Sequence, residues 1–270
     1  MRDTGYRILA DGVTASNDTW ATGLANHDLI IGPTGGGKTR GYVLPNLLSS
    51  QESFVVTDSK GTLRRQVGGI LERRGFQLLE LDFTDLLHSP WGYNPLRFIR
   101  YDMERECWNE QDIITVAAAL VPVEDKTQPF WEYAARNLLE ALIGYTLECL
   151  PAEEHDLTSV ARLFSEAETG VLDELMRELC TIDPGGFVSM RWKGIQTCRR
   201  ADKTYGSVLG ILSQKISNFS FAGARELFKN PNQIDFAAIS HTPTAVFVRV
   251  SDNDFSLNLS LIHISEPTRL

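Results

Sequence analysis

The sequence predicts an α/β fold in which a parallel sheet is interrupted by an all-α insertion and then resumed. Three observations support this prediction. Strand and helix patterns alternate up to residue 83, helical patterns fill residues 105–182, and a β-branched run returns near residue 245. Alternation of strand and helix is typical of parallel sheets, because each parallel strand needs a crossover connection.

The sheet is predicted to begin at residues 27–32, "HDLIIG", an apolar run that ends in a glycine-rich loop. Such a run predicts a buried strand. The next segment, "RGYVLPNLLSS", should form the helix that opens at the loop. We expect a kink in it because Gly41 and Pro45 are poor helix formers.

Two more strands and the helix between them continue the pattern. "SFVVTD", residues 53–58, and "FQLLELDF", residues 76–83, have the composition of strands. Gly75 suits the C-terminal end of the intervening amphipathic helix. The apolar positions that share one face of this helix are Leu63, Val67, Ile70 and Leu71.

The middle of the chain predicts helices that carry a strong negative charge. Residues 101–185 contain 19 acidic and five basic side chains, whereas the whole chain has a net charge of −9. "PTAVFVRVSD" then returns to a strand pattern. The helical segments are EQDIITVAAALV, FWEYAARNLLEALIGYTLECL, LTSVARLFSEA, VLDELMRELC and KTYGSVLGILSQKISNFS.

Residues 32–39, "GPTGGGKT", fit the phosphate-loop pattern G-x-x-x-x-G-K-[ST]. Glycines allow positive φ, so that successive N–H groups form a nest for an anion at a helix N-terminus. Lys38 supplies a positive charge for the β- and γ-phosphates, and the Thr39 hydroxyl can bind Mg²⁺. The residues predicted to bind a nucleotide are Gly32, Pro33, Thr34, Gly35, Gly36, Gly37, Lys38 and Thr39.

The carboxylate that hydrolysis would need cannot be assigned from the sequence. No run of four apolar residues is followed by Asp-Glu or Asp-Asp. Asp58, at the end of "FVVTD", is a weak candidate for the catalytic acid, and Asp252 and Asp254 are others. Alternatively, all three are turn-forming aspartates at strand ends, which is the more ordinary role for this residue type.

Composition argues against several other classes of protein. The four cysteines form no C-x-x-C pair and the five histidines have no metal-ligand spacing, so no zinc site is expected. No apolar run approaches the roughly 20 residues that span a bilayer, so the chain as given is expected to be soluble.

Several of these segments together resemble a known family. "IIGPTGGGKTRGYVLPNLL", "SFVVTDSKG", "GFQLLELDF" and "YNPL" are similar to the TraG/TraD-type coupling ATPases of type IV secretion, which are relatives of the FtsK motors. The likeness covers roughly residues 25–258. Asp58 and Lys60 belong to the family's Asp-x-Lys-Gly element.

The resemblance implies a RecA-like P-loop NTPase sheet interrupted by an all-α insertion, with ATP and Mg²⁺ at residues 32–39. It assigns residues 1–104 and 206–259 to an incomplete nucleotide-binding domain and residues 105–205 to the insertion. Residues 260–270 resemble a translated sequencing adaptor, and we expect no function for them.

The resemblance also implies partners. Family members form hexamers at the cytoplasmic face of the inner membrane, anchored by helices that this chain lacks. They bring a relaxase with single-stranded DNA, or a secreted protein, to the type IV secretion channel by hydrolysing ATP. This chain lacks the family's Walker-B Asp-Glu, so whether it is itself an ATPase stays open.

Two charged segments suggest contacts with such partners. A basic segment with Trp192 interleaved could bind single-stranded DNA through Arg191, Lys193, Arg199, Arg200 and Lys203. Alternatively, it is a solvated helix face with Trp192 in the core. The acidic insertion could be a docking face for basic cargo at Glu153, Glu154 and Asp156, or simply a solvated surface.

These observations leave competing functions. The first is a motor ATPase that couples DNA and protein cargo to a secretion channel. The second is a nucleotide-dependent docking module that does not hydrolyse ATP. A small-molecule kinase is a third, but the sequence shows neither a substrate lid nor an acceptor-activating acid.

Overall fold

A computed structural model describes residues 5–251 except 125–126, 168, 200–201 and 240. The described residues divide into two compact units. The first, here called the sheet unit, runs to Thr84 and resumes at Ile234. The second, the helical unit, runs from Asp85 to Gln233.

The strands of the described residues are short. They are β1 (Tyr6–Ala10), β2 (Val13–Ser16), β3 (Phe54–Thr57), β4 (Gln77–Asp82), β5 (Tyr101–Asp102), β6 (Cys107–Trp108) and β7 (Thr244–Arg249).

The helices range from single turns to the 20-residue α5. The α-helices are α1 (Thr19–Thr22), α2 (Leu44–Ser49), α3 (Leu63–Arg73), α4 (Glu110–Leu120), α5 (Phe130–Cys149), α6 (Leu157–Ser165), α7 (Val171–Ile182), α8 (Phe187–Arg199), α9 (Asp202–Ile216), α10 (Ala222–Lys229) and α11 (Phe236–Ile239). A π-helical turn spans Thr39–Val43, and 3₁₀ turns span Leu86–His88, Pro95–Phe98, Ala152–Glu154 and Ser217–Ser220.

The central sheet confirms the predicted interruption and return. Its strand order is β3-β7-β4, and β7 pairs in parallel with both neighbours. The strand that follows the helical unit therefore lies between two strands that precede it. Residues 244–248 of β7 are all buried, as expected for a strand with neighbours on both sides and covered faces.

The predicted helix between β3 and β4 is confirmed, and most of its predicted face is buried. Leu63, Val67 and Leu71 of α3 pack in one core with Phe76 and Phe247. Ile70, which was predicted to share this face, is 38% exposed.

The strand predicted at residues 27–32 is wrong. This segment has no regular secondary structure, and Leu29 and Ile31 are 85% and 86% exposed. An apolar run becomes a strand only where another strand pairs with it. None of the described strands pairs with this segment.

The segment after the loop is not a regular α-helix at the position where a kink was predicted. The N–H of Leu44, the first residue of α2, donates to the Thr39 carbonyl five residues back. Pro45 lacks the N–H that an α-helix would use here, and its ring crowds the carbonyl four residues earlier. A π-type turn followed by a short α-helix is the result.

The helical unit is built around α5, which packs against α4, α6, α8 and α9. Its central residues, Leu138, Leu139, Leu142 and Ile143, are fully buried. The predicted helical segments are confirmed as α4, α5, α6, α7 and α9. Residues near 86 pack with α10 within the same unit. The predicted limits of the insertion, 105–205, stay a prediction. No helix among the described residues has the length and hydropathy needed to cross a membrane.

Candidate functional site

The phosphate loop has the backbone geometry that its glycines predict. Gly35 and Gly37 have φ of 77° and 81°, and the Gly36 N–H donates to the Pro33 carbonyl at 3.0 Å. A Cβ on Gly36 would lie only 3.0 Å from that carbonyl oxygen. Alternating positive φ along a tight turn is the geometry of an anion nest.

Lys38 lies across this loop. Its Nζ donates to the carbonyl of Gly32 at 2.5 Å and to that of Pro33 at 3.0 Å. The side chain is exposed, so these bonds can be exchanged for bonds to a ligand. Thr39 follows directly and begins the π-helical turn. The loop therefore brings three glycines, an ammonium and a hydroxyl together within one turn.

Asp58 has a structural role at the end of β3, in line with the turn-forming alternative given above. Its carboxylate is buried and accepts from the N–H of Thr62 at 2.9 Å and of Arg64 at 3.1 Å. Asp58 thus satisfies free N–H groups at the start of α3. Both carboxylate oxygens of Asp58 therefore already accept a backbone hydrogen bond. The other candidates, Asp252 and Asp254, lie outside the described residues.

The carboxyl end of the sheet carries one more charged pair. Arg249, which ends β7, donates through Nη1 to Asp82, which ends β4. Asp82 also accepts from the N–H of Thr84 at 2.8 Å. A Cβ on Gly61, whose φ is 62°, would meet Arg249 Nε at 3.3 Å, which explains a glycine in the Asp-x-Lys-Gly element.

The basic segment does not form an open basic and aromatic face. Arg191 Nε lies 2.7 Å from Glu140 Oε2, although outside hydrogen-bonding geometry. Arg199 pairs with Asp173 and lies over the Tyr205 ring. These carboxylates neutralise two of the predicted DNA-binding charges.

The remaining members of that segment add little to a DNA-binding face. Trp192 is only 4% exposed, so it belongs to the core and cannot stack on a base. Lys193 Nζ donates to the Pro184 carbonyl at 2.6 Å. The side chains of Arg200 and Lys203 lie outside the described residues. DNA binding at this segment stays a prediction.

Two of the three acidic residues predicted to dock basic cargo are engaged within the helical unit. Glu154 pairs with Arg162. Asp156 is buried, accepts from the Ser159 N–H at 2.9 Å at the start of α6, and lies 3.7 Å from Lys229 Nζ. Of the three, only Glu153 is exposed without a described hydrogen bond or ion pair.

Comparison with known proteins places this geometry in context. The sequence matches the family described as "Type IV secretory system Conjugative DNA transfer" over residues 4–264. It is 26% identical over 238 residues to the conjugal transfer protein TraG of Escherichia coli, covering 84% of this chain and 36% of TraG.

Solved structures are similar as well. The bacterial conjugative coupling protein TrwBdeltaN70, in its unbound monoclinic form, has a TM-score of 0.62 and 18% identity, covering 97% of this chain and 53% of that protein. This likeness confirms the predicted RecA-like fold. The structure of the plasmid coupling protein TrwB in complex with ADP and Mg²⁺ has a TM-score of 0.46 and 14% identity, covering 96% of this chain and 59% of that one. The chain spans about a third of the curated relative and about half of the first solved structure.

Proposed function

The chain belongs to the type IV secretory system conjugative DNA transfer family, and we propose that it is the nucleotide-binding part of a coupling protein that uses ATP with Mg²⁺. The observation that carries this proposal is the loop at residues 32–39. Its glycines hold positive φ and its lysine lies across the turn. A turn of this kind at the start of a helix favours bound phosphate.

The residues of the loop fit a triphosphate with its metal. Backbone amides of residues 35–39 would hold the phosphates, and the Lys38 ammonium would leave the carbonyls of Gly32 and Pro33 for phosphate oxygens. The hydroxyl of Thr39 would bind Mg²⁺. Once bound, Mg·ATP supplies the phosphoanhydride whose cleavage releases the energy for transfer.

We propose further that the whole protein couples cargo to a secretion channel. The cargo would be a relaxase with single-stranded DNA, or a secreted protein, and the active form a hexamer attached to the cytoplasmic face of the inner membrane. Family membership supports this proposal. ATP hydrolysis in the complete protein would drive the transfer.

A second candidate is a nucleotide-dependent docking module without hydrolysis of its own. One observation favours it for this chain: both carboxylates at the ends of the outer strands are already engaged. Asp58 accepts from the start of α3, and Asp82 is paired with Arg249. These two carboxylates therefore already make structural contacts.

Calorimetry and an ATPase assay on the same sample separate the two candidates. Binding of Mg·ATP together with turnover supports the motor, and binding without turnover supports the docking module. Absence of binding by a folded chain would contradict both. Lys38→Met, which keeps an unbranched side chain and removes the ammonium, is the matched control.

A further inference from the structure

We propose that Arg7, Asp28 and Tyr42 form a clamp that holds both flanks of the phosphate loop, so that Arg7 is a positioning residue for nucleotide binding. The inference rests on the proposed function, because it concerns the same loop. None of the three belongs to the loop itself, and no sequence motif indicates them.

The centre of the clamp is the ion pair between Arg7 and Asp28. Arg7 Nε donates to Asp28 Oδ2 at 2.6 Å, and their side chains are 18% and 16% exposed. Arg7 Nη1 donates to Asn26 Oδ1 at 2.6 Å and to Asn17 Oδ1 at 2.9 Å. These bonds are charge-assisted, which makes them stronger than hydrogen bonds between neutral groups.

The same carboxylate oxygen reaches the other flank of the loop. The Tyr42 hydroxyl donates to Asp28 Oδ2 at 2.8 Å. Asp28 precedes Gly32, and Tyr42 follows Thr39 in the π-helical turn. The hydrogen bonds from Arg7 and Tyr42 hold the pKa of Asp28 below its usual value. One ionised oxygen therefore ties together the segments that enter and leave the loop.

The clamp matters because sheet hydrogen bonds do not fix the entering segment. Residues 27–32 form no strand, and Leu29 and Ile31 are exposed. Without the clamp, nucleotide binding would have to order this segment. The entropy cost of ordering it would weaken the affinity for the nucleotide.

Arg7 also neutralises a carboxylate that lies four residues before Gly32 in the sequence. If Arg7 were removed, the Asp28 charge would repel a polyphosphate at the neighbouring loop. This predicts a rescue: replacing Asp28 as well should recover part of the affinity. A purely structural role for Arg7 does not predict recovery, because the second change removes a further group from the fold.

The test measures Mg·ATP affinity by calorimetry on the full chain. Arg7→Met should weaken binding about tenfold, equivalent to about 1.4 kcal/mol. Arg7→Met with Asp28→Asn should recover to within about threefold of the wild type, since the amide still accepts from Tyr42. Arg7→Lys should lie between the wild type and Arg7→Met.

The matched control is Arg64→Met, because Arg64 pairs with Glu80 at 3.1 Å in the same unit. It should leave the affinity unchanged. Hydrogen exchange should rise at residues 28–43 in Arg7→Met and stay unchanged in α3. If Arg7→Met fails to fold, Tyr42→Phe provides the test of the clamp, because it removes only the hydroxyl that donates to Asp28. Tyr42→Phe should weaken Mg·ATP binding about threefold.

The outcomes separate this inference from the proposed function. If the wild type binds no Mg·ATP, the proposed function fails. If the wild type binds and Arg7→Met or Tyr42→Phe binds equally well with unchanged loop exchange, the clamp is overturned and the proposed function stands. Weaker binding without recovery in the double variant would overturn charge neutralisation by Arg7 and assign the loss to positioning of the loop alone.

Discussion

The side-chain amide of Asn46 hydrogen-bonds both backbone groups of Ile8. Oδ1 accepts the N–H and Nδ2 donates to the carbonyl, each at 2.8 Å. A second bond from Nδ2 reaches the Tyr42 carbonyl at 2.8 Å. Asn46 on α2 therefore acts as a strand partner for β1, which explains the polar residue within Pro-Asn-Leu-Leu.

Replacing Asn46 tests that role. Asn46→Leu should lower the free energy of unfolding by about 1–3 kcal/mol, because it leaves partly buried backbone groups unpaired. Hydrogen exchange should rise across β1. Gln66→Leu changes an exposed residue on α3 and should stay within about 0.5 kcal/mol. Equal effects of the two substitutions would contradict the pairing role.

The capping role of Asp58 predicts a loss of stability. Asp58→Ala should lower the free energy of unfolding by about 1–2 kcal/mol, since the N–H groups of Thr62 and Arg64 lose their acceptor. Chemical denaturation followed by circular dichroism measures this. Asp18→Ala, at the exposed four-residue helix α1, should have a smaller effect. If Asp58→Ala were as stable as wild type, the cap would be unimportant.

Two helical glycines should respond oppositely to the same substitution. A Cβ on Gly144 of α5 would lie 2.6 Å from Val188 Cγ2, so Gly144→Ala should destabilise by about 1–3 kcal/mol. Gly210 of α9 has nothing within 4 Å of that position. Gly210→Ala should therefore stabilise by about 0.5–1 kcal/mol through helix propensity. Melting temperatures that shift in the same direction would contradict the packing of α5 on α8.

Glu148 predicts a pH dependence of stability. Burial raises its pKa to about 7, with repulsion from Asp183 and Glu110 adding to the shift. The folded state then retains a proton that the unfolded state releases. The free energy of unfolding should therefore fall as pH rises from about 5 to about 7.

Glu148→Gln should flatten this pH profile and raise stability above about pH 7. The Glu148 side chain is partly exposed to water. Solvent should therefore screen part of the effect of this carboxylate on the free energy of unfolding. Glu174→Gln, at an exposed position on α7, is the control for the loss of a surface carboxylate. A profile that Glu148→Gln does not alter would contradict this assignment.

Local patterns predicted most of the regular elements. The strands β3, β4 and β7 and the helices α3, α4, α5, α6, α7 and α9 follow from apolar patterns in the sequence. Periodicity failed at residues 27–32, because the state of an apolar run depends on whether a pairing strand is present. The β1–β2 hairpin was missed although Asp11-Gly12 is a turn signal, and Gly12 has φ of 69°.

The site was predictable only where its residues are adjacent in sequence. The loop at residues 32–39 is one continuous motif, so its pattern identified it. The Arg7–Asp28–Tyr42 cluster joins three separated segments, and no spacing rule links them. The basic segment is the opposite case, because its residues are adjacent in sequence but do not form the predicted open face. Two of its arginines pair with Glu140 and Asp173, which lie on other helices and could not be identified from the segment itself.

Calorimetric titration of the folded chain with Mg·ATP, beside Lys38→Ala, tests the central claim most directly. We expect saturable binding by the wild type and a loss of at least about tenfold in affinity for Lys38→Ala, because the ammonium contacts the phosphates. Circular dichroism of both samples should be the same. Equal affinities, or no heat of binding from a folded wild-type chain, would contradict nucleotide binding at residues 32–39.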